Sequence, residues 1–444
     1  MKKVKSRTAA VLLLAAAILA GLVFFIAKLT LNGRDWAAFS ANGNVYSGGM
    51  LATGTVYDRD GEVLAYMNDG ERCFAQDETV RRATLHAVGD AQGNIGTGAL
   101  KMFSSDLAGY DFVSGTYTVG NRGGEVRLSI DADLNVAAYN ALDGRSGAVA
   151  VCDYETGEIL CMVSSQTFDP ADPPQLDADD TSGVYLNRVL SSTYTPGSVF
   201  KLVTLAAAIE NIDDLYDRTF VCTGSCDVGG DTVVCSGTHG EINIEQALAV
   251  SCNSAFAQLA LELGGDVLST YAGKMGLTES FEISGISTAA GSFDIAADGS
   301  SLLAWSGIGQ YTDLVNPAAM LRMMCAVAGD GSAPELTLKA QERSGLFSAR
   351  TRLLSADTAA KIREMMSYTV AYKYGAENYP GLELCAKSGT AEVGGGASPH
   401  AWFVGFITNT DRPLAFVVIV ENGGYGSAAG GAVANAVLQA AVNQ

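Results

Sequence analysis

The apolar residues of this chain change their spacing along its length. Residues 8–27 form one uncharged apolar run, whereas the region after Gly147 has strand-like runs near both ends and helix-like stretches between them. We predict a hairpin of two strands that begins at Gly147. We predict three further strands, at Glu383–Thr390, Ala401–Thr408 and Leu414–Asn422. We predict helices at Val199–Ile209, Ile244–Leu263, Pro317–Val327, Ala356–Val370 and Ala432–Val442. This arrangement indicates an α+β fold, in which distant segments form one five-stranded antiparallel sheet that helices cover.

The N-terminal apolar run has the length of a membrane anchor. A helix rises about 1.5 Å per residue, so this run would cross a bilayer. Four cations precede it in "MKKVKSR". We predict a cytoplasmic tail at residues 1–7 and a transmembrane anchor at residues 8–28, with the remaining chain outside by the positive-inside rule. The alternative is a cleaved signal peptide, against which the large residues 22–26 at the end of the run argue.

Two further regions are expected after the anchor. Residues 29–145 are mixed and polar, with two short strands expected in Gly54–Met67 and a strand followed by a helix in Gly124–Leu142. We interpret residues 29–145 as a small mixed pedestal domain. The composition shifts at Gly147, and we predict that residues 146–444 form the main domain.

Charge narrows the choice of partners. The 444-residue chain carries a net charge of −20, and 48% of its residues are apolar. Nucleic-acid phosphates require a basic surface, so this balance argues against a nucleic-acid partner. It fits an acidic domain with a sizeable core.

One group of cysteines raises the question of a metal. Cys222, Cys226 and Cys235 are followed by His239, and they lie around a predicted β-hairpin with Gly-Gly-Asp at its tip. The spacing is compatible with a zinc site. A local disulfide between Cys235 and either Cys222 or Cys226 is the favoured interpretation, and we predict no metal site.

A serine and a lysine carry the first chemical signal. Ser198 follows the Pro-Gly turn of "TYTPGSVFKLVTLAAAIE" at a predicted helix start, where backbone N–H groups favour developing negative charge. Lys201 lies three residues later on the same face. The apolar neighbours of Lys201 should lower the pKa of its amine, so that it can accept the serine proton. The alternative is an N-cap serine with a lysine that reaches solvent.

Two later segments strengthen the catalytic interpretation. "AVSCNSAF" supplies Ser251 and Asn253, which we expect just within a helix, and "CAKSGTAEV" supplies Lys387 to Thr390 on a predicted core strand. The order S-x-x-K, S-x-N, K-S-G is similar to that of penicillin-binding proteins and serine β-lactamases. "DRDGEVLA", "GAVAVCDYETGEILCMVSSQTFDP", "SGIGQYTDLVNPAAMLRMM" and "HAWFVGFI" extend the likeness, and the chain resembles class B penicillin-binding proteins.

The resemblance implies a role for each residue of these motifs. Ser198 would attack the penultimate D-alanyl carbonyl of a peptidoglycan stem peptide, and Lys201 would take its proton. Ser251 would relay a proton to the leaving D-alanine, and Asn253 would hold the substrate amide and orient Lys201. Lys387 would keep the site electropositive, and the substrate-binding residues would be Ser388, Gly389 and Thr390, of which Ser388 and Thr390 hydrogen-bond the terminal carboxylate. Backbone N–H groups of Ser198 and Thr390 would form the oxyanion hole.

The implied function is that of a D,D-transpeptidase that cross-links stem peptides and is trapped by β-lactams. It would sit in a bacterial cell membrane as a single-pass protein, without a cofactor, beside a polytopic glycosyltransferase of the SEDS family. A D,D-carboxypeptidase or class D-like β-lactamase would use the same acylation with water as the acceptor. A β-lactam sensor or scaffold without turnover is the non-enzyme alternative.

Overall fold

The structure is a computed structural model that describes residues 2–39, 41–43, 45–47, 50–111, 114–117, 123–177, 179–340, 349–409 and 411–443. It contains a long N-terminal helix, a smaller region with a four-stranded sheet, and a larger region built on a five-stranded antiparallel sheet. The predicted α+β class and the predicted five-stranded sheet are therefore confirmed.

The N-terminal helix, α1 (Lys2–Ala37), has the properties of a membrane span. Its segment Lys3–Gly33 has a mean hydropathy of 2.9 in its most apolar window, and none of that window is buried against the rest of the protein. An apolar helix surface without protein cover favours a lipid environment. Within the described residues, it is the one helix that is long and apolar enough to cross a bilayer.

Short elements make up the region after α1. Strands β3, β4, β5 and β8 form a sheet in the order β5-β4-β3-β8, in which β3 and β8 are parallel. The elements are β1 (Tyr46–Ser47), β2 (Met50–Leu51), β3 (Thr55–Tyr57), β4 (Val63–Asn68), β5 (Glu71–Phe74), α2 (Glu78–Val88), α3 (Ala99–Met102), α4 (Ser104–Leu107), β6 (Tyr110–Asp111), β7 (Thr116–Tyr117), β8 (Glu125–Arg127) and α5 (Ala132–Leu142).

The larger region starts with a hairpin and ends with a helix. Its elements are β9 (Gly147–Asp153), β10 (Ile159–Ser165), α6 (Arg188–Ser191), α7 (Lys201–Asn211), β11 (Phe220–Cys222), β12 (Ser225–Val228), β13 (Asp231–Val234), β14 (Gly240–Ile242), α8 (Ile244–Ala249), α9 (Asn253–Leu263), α10 (Gly265–Lys274), β15 (Glu282–Ile283), β16 (Ile286–Ser287), α11 (Ser301–Ser306), α12 (Pro317–Ala328), β17 (Ser332–Pro334), β18 (Arg350–Arg352), α13 (Ala356–Thr369), β19 (Leu384–Ala391), β20 (His400–Ile407), β21 (Leu414–Val420) and α14 (Gly426–Asn443).

The main sheet joins segments that are far apart in sequence. Its order is β10-β9-β21-β20-β19, and β9 pairs with β21 from Gly147↔Val420 to Asp153↔Leu414. Both faces are covered, which explains why β21 is buried at every position instead of alternating. One face, with Val149, Phe403 and Val418, packs against α5 and α14. The opposite face packs against α12 and α13, so alternate residues of each strand point into different layers.

Two predicted helices differ from the observed ones. The single helix expected over Ile244–Leu263 is wrong, because the chain breaks between α8 and α9, where Ser251 has a φ of 56°. An L-residue in that left-handed conformation ends a right-handed helix. The last helix begins at Gly426, earlier than predicted. Gly426 and Gly430 permit this, since a Cβ on either would meet the sheet, at Gly389 O and at Phe403 Cβ respectively.

Candidate active site

Ser198 lies in a tight turn that is pressed against the edge of the main sheet. A 3₁₀ turn, Gly197–Val199, leads directly into α7. Gly197 has a φ of 55°, and a Cβ at this position would lie 2.6 Å from the carbonyl oxygen of Thr390 in β19. Only glycine therefore fits the turn. The close approach holds Ser198, which is half-buried, beside the K-S-G strand.

Lys201 is fully enclosed, as its apolar neighbours predict. Its exposed fraction is 0%, and its Nζ lies 3.1 Å from Ser198 Oγ. Nζ also donates to Ser251 O and Asn253 Oδ1, at 2.7 Å each, and lies 3.1 Å from Ser251 Oγ. The structure thus brings together the serine and lysine of the first motif and both polar residues of the second.

These contacts fix how the protons are distributed on a neutral amine. The carbonyl oxygens of Ser251 and Asn253 can only accept, so they take two N–H bonds from Lys201 Nζ. A neutral amine then has its lone pair left for a hydroxyl proton. Ser198 Oγ, 3.1 Å away, can donate that proton.

Burial supports a neutral amine at this position. Loss of solvation lowers the pKa of Lys201 to about 7, although the nearby thiols of Cys235 and Cys252 act in the opposite direction. The second lysine, Lys387, is also 0% exposed, and its pKa is lowered by burial and then by the charge of Lys201. The two amines share Ser251 Oγ, which is 3.1 Å from each Nζ. One serine hydroxyl therefore connects both amines.

The break between α8 and α9 positions the S-x-N motif. Ser251 lies in the break, contrary to our expectation that it is helical, and Asn253 is the first residue of α9. The amide of Asn253 is held at both ends: Oδ1 accepts from Lys201, and Nδ2 donates to Val234 O at 2.8 Å. The hairpin β12–β13 thereby orients the amide that orients Lys201.

Strand β19 presents the K-S-G residues along the same edge. Alternation along the strand turns Lys387 toward the helices around α7, where its Nζ also donates to Ser388 O at 2.8 Å. Gly389 runs so close to the Ser198 turn that a Cβ on it would lie 2.7 Å from Pro196 O. Thr390 Oγ1 accepts a 3.3 Å bond from Gly426 N at the start of α14 and retains its own proton for donation.

Tyr374 is a further residue of the site that the sequence did not reveal. Its hydroxyl donates to Ser388 Oγ and accepts from Ser388 N, both at 2.8 Å. Burial raises the pKa of Tyr374 to about 12, so the phenol keeps its proton. Tyr374 closes a π-helical turn, Val370–Tyr374, that follows α13. No local motif marks it, because the contact depends on how this turn packs on β19.

The cysteine group differs from its expected arrangement. All nine cysteines are free thiols, so the disulfide expected between Cys235 and Cys222 or Cys226 is absent from the structure. Cys235 and Cys222 instead face His239 and Cys252, and the four ligand atoms lie within 4.8 Å of one another. Cys252 was not predicted to belong to this group, because it is the middle residue of the S-x-N motif.

Known proteins share this architecture. The family model "Penicillin binding protein transpeptidase domain" matches residues 147–443. The peptidoglycan D,D-transpeptidase PbpA of Mycobacterium tuberculosis is 31% identical over 385 residues, which cover 77% of this chain and 76% of that protein. Stage V sporulation protein D of Bacillus subtilis is 30% identical over 350 residues, or 69% of this chain and 51% of that protein.

Solved structures agree with the sequence relatives. The D,D-transpeptidase domain of a peptidoglycan glycosyltransferase from Eggerthella lenta is 27% identical, with a TM-score of 0.72, and the match covers 88% of this chain and 98% of that one. Penicillin-binding protein A from M. tuberculosis, solved as a penicillin G acyl-enzyme complex, is 26% identical, with a TM-score of 0.71, and the match covers 88% of this chain and 99% of that one. The family that the motifs predict is confirmed. The family model matches most of the chain and a relative is 31% identical across 77% of it, so this chain belongs to the penicillin-binding protein transpeptidase family.

Proposed function

We propose that this protein is a serine-type peptidoglycan D,D-transpeptidase that works through an acyl-enzyme on Ser198. The observation that carries the proposal is the 3.1 Å contact between Ser198 Oγ and the fully buried Nζ of Lys201. This is a nucleophile with its base in place, without a histidine. Membership of the family and the D,D-transpeptidase relatives support the same reaction.

Acylation begins with transfer of the Ser198 proton to Lys201. The freed Oγ attacks the carbonyl carbon of the penultimate D-alanine of a stem peptide and forms a tetrahedral intermediate. Backbone N–H groups of Ser198 and Thr390 stabilise its oxyanion. The C–N bond then breaks, and the departing D-alanine amine receives a proton through Ser251 Oγ, which lies 3.1 Å from both lysine amines.

Recognition of the substrate uses the strand beside the nucleophile. The terminal D-alanine carboxylate accepts from the hydroxyls of Ser388 and Thr390, in the positive field of Lys387. Gly389 keeps β19 close to the Ser198 turn, so that carboxylate and scissile carbonyl are bound together. Asn253 holds the substrate amide. A β-lactam carries the same carboxylate and a reactive amide, so it acylates Ser198 and stays bound.

Deacylation reverses the proton path. The amine of a second stem peptide attacks the ester carbonyl, loses a proton to Lys201, and forms the cross-link as Ser198 Oγ leaves and is reprotonated. No atom is needed beyond the two peptides and the site residues. With water as acceptor the same site would act as a carboxypeptidase.

The remaining assignments concern the location of the protein. Residues 1–7 are the cytoplasmic tail, 8–28 the transmembrane anchor, 29–145 a pedestal and 146–444 the transpeptidase domain, which faces the peptidoglycan. Support comes from the apolar surface of α1 and from the four cations of "MKKVKSR". A polytopic SEDS-family glycosyltransferase in the same membrane would supply the glycan strands.

One experiment separates the enzymes that share this acylation. The purified full-length protein is incubated with un-cross-linked peptidoglycan strands, and free D-alanine and cross-linked peptide are both measured. A transpeptidase releases D-alanine and forms cross-links in parallel. D-alanine without cross-links identifies a carboxypeptidase, and rapid loss of a fluorescent penicillin adduct identifies a β-lactamase. A lasting adduct without any D-alanine release identifies a sensor or scaffold.

Acylation should depend on pH through Lys201. The neutral amine is the active form and its pKa is about 7, so the acylation rate should rise with pH across that value. At about pH 6 we expect a rate roughly tenfold below the plateau above about pH 8. Stopped-flow penicillin acylation across this range measures the profile. Lys387, Cys235 and Cys252 are the other titratable groups near Lys201. A flat profile over a range in which the melting temperature is constant would contradict the assignment of Lys201.

Tyr374→Phe should weaken substrate capture. Removal of its hydroxyl leaves Ser388 N without its acceptor and frees the Ser388 side chain to rotate. We expect the binding constant of the pre-acylation complex to weaken by about tenfold, with a smaller change in the acylation step. Tyr372→Phe is the matched control, because Tyr372 is 55% exposed in the same turn. An equal loss in both steps would indicate a general structural role instead.

A further inference from the structure

Four ligand-type side chains converge beside the active site, outside the groups that carry out the proposed reaction. Cys222 ends β11, Cys235 follows β13, His239 precedes β14, and Cys252 precedes α9. Their ligand atoms all lie within 4.8 Å of one another. The end of β11, the loop between β13 and β14, and the start of α9 therefore meet at one point through residues that bind soft metal ions.

Three of the six distances between these atoms match those of a tetrahedral zinc site. With Zn–S of about 2.3 Å and Zn–N of about 2.0–2.1 Å, tetrahedral ligands lie about 3.8 Å apart for two sulfurs and about 3.6 Å apart for sulfur and nitrogen. Cys235 Sγ and Cys252 Sγ are 3.8 Å apart. His239 Nδ1 is 3.5 Å from Cys222 Sγ and 3.6 Å from Cys235 Sγ.

The surroundings of the sulfurs suit thiolates. Asn253 N donates to Cys235 Sγ at 3.1 Å. The Cys222 thiol donates to Ser254 Oγ at 3.7 Å, and the Ser254 hydroxyl can donate in return once that thiol has lost its proton. Such hydrogen bonds accompany metal-bound thiolates. Cys222 and Cys252 are 1% and 0% exposed, whereas His239 is half-buried, so an ion can enter from the histidine side.

We propose that Cys222, Cys235, His239 and Cys252 bind one structural Zn²⁺ ion. Three thiols lose their protons on binding, and the imidazole binds through Nδ1. All four positions are filled by protein, so the ion is structural. This goes beyond the proposed transpeptidase function and does not depend on it. It also departs from the disulfide that the sequence alone favoured.

The ion would hold the S-x-N motif in place through Cys252, its middle residue. Cys252 lies between Ser251 and Asn253, and Cys235 follows Val234, whose carbonyl accepts from Asn253 Nδ2. A metal bond to both cysteines ties the hairpin to the turn in which Ser251 adopts its left-handed conformation. The zinc would thereby hold Ser251 and Asn253, the residues of the S-x-N motif that contact Lys201 Nζ.

The test measures metal directly on the purified full-length protein. Mass spectrometry of metal content should find about one zinc per chain in the native protein and in Cys226→Ser, and far less in His239→Ala and Cys252→Ser. Cys226 is the matched control, since it lies in the same hairpin but outside the four-residue group. Replacement of the zinc by Co²⁺ should give the intense visible absorption bands of a tetrahedral site with thiolate ligands. A chelator should lower the melting temperature of the native protein but not that of His239→Ala.

Two results would overturn the proposal. One is zinc content in His239→Ala and Cys252→Ser equal to that of the native protein, which would mark the metal as adventitious. The other is a metal-free native protein in which peptide mapping finds a Cys235–Cys252 disulfide. Neither measurement uses enzymatic activity, so failure of the zinc proposal and failure of the transpeptidase proposal are distinguishable.

Discussion

Ser198→Ala is expected to abolish covalent labelling of this protein by penicillin. The hydroxyl oxygen is the only heavy atom removed, and no bond to the β-lactam carbonyl carbon can form without it. The fold should persist, because Lys201 Nζ retains its 2.7 Å partners on Ser251 and Asn253. The measurement is fluorescent penicillin labelling of the full-length protein, with intact-mass spectrometry to detect the adduct.

Ser191→Ala serves as the control for that experiment, since Ser191 is an exposed serine at the end of α6. It should label like the native protein. The melting temperature of both variants shows whether the fold is retained. A mass increase of one penicillin on folded Ser198→Ala would place the nucleophile elsewhere and overturn the proposed mechanism.

The sheet was predictable because its strands have a strong local signal. "LAFVVIVEN" is apolar at nearly every position and rich in β-branched residues, which is typical of a strand covered on both faces. That distant segments join in one sheet followed from this signal, whereas the specific pairing of β9 with β21 is seen in the structure. By contrast, the break at residues 250–252 was hidden, because "IEQALAVSCNSAFAQLALEL" continues a helical apolar pattern through it. Tertiary contacts of Ser251 and Cys252 override that local preference.

The part of the site that was predictable consists of residues that lie in short sequence motifs. Ser198 and Lys201 share a helix face by spacing alone, and their contact follows from the chain itself. The junction of Lys201 and Lys387 at Ser251 Oγ joins three distant segments, and no local pattern reveals it. Tyr374 and Cys252 were missed for the same reason. Each acquires its role through a contact made by packing.

The lowered pKa of Lys201 explains why two buried lysines are tolerated side by side. Two ammonium ions enclosed so close together would repel each other, and each amine is desolvated. The structure lowers the cost because burial lowers the pKa of Lys201 to about 7, so that a large share of this amine is uncharged near neutral pH. The burial that makes this lysine costly also lowers the pKa of its amine so that it can accept a proton. Removal of the Lys201 side chain should therefore strongly slow acylation.

Lys201→Ala is expected to slow acylation by at least about a hundredfold and up to about 10⁴-fold, because Ser198 loses its proton acceptor. The residual rate should no longer rise with pH across a value of about 7, the pKa of the missing amine. Stopped-flow acylation by penicillin, with the melting temperature measured in parallel, tests both statements. Small amines such as methylamine should restore part of the rate, since the deleted side chain leaves a cavity beside Ser198 Oγ.

Lys274→Ala is the matched control, because Lys274 is a half-exposed lysine on α10 that pairs with Glu210 Oε2 at 2.9 Å. It should acylate at the native rate with the native pH profile. If folded Lys201→Ala also acylates at the native rate, or keeps the inflection near pH 7, Lys201 is not the base. Lys387, the other buried amine on Ser251 Oγ, would then be the base to test, through the same hydroxyl that links it to the site.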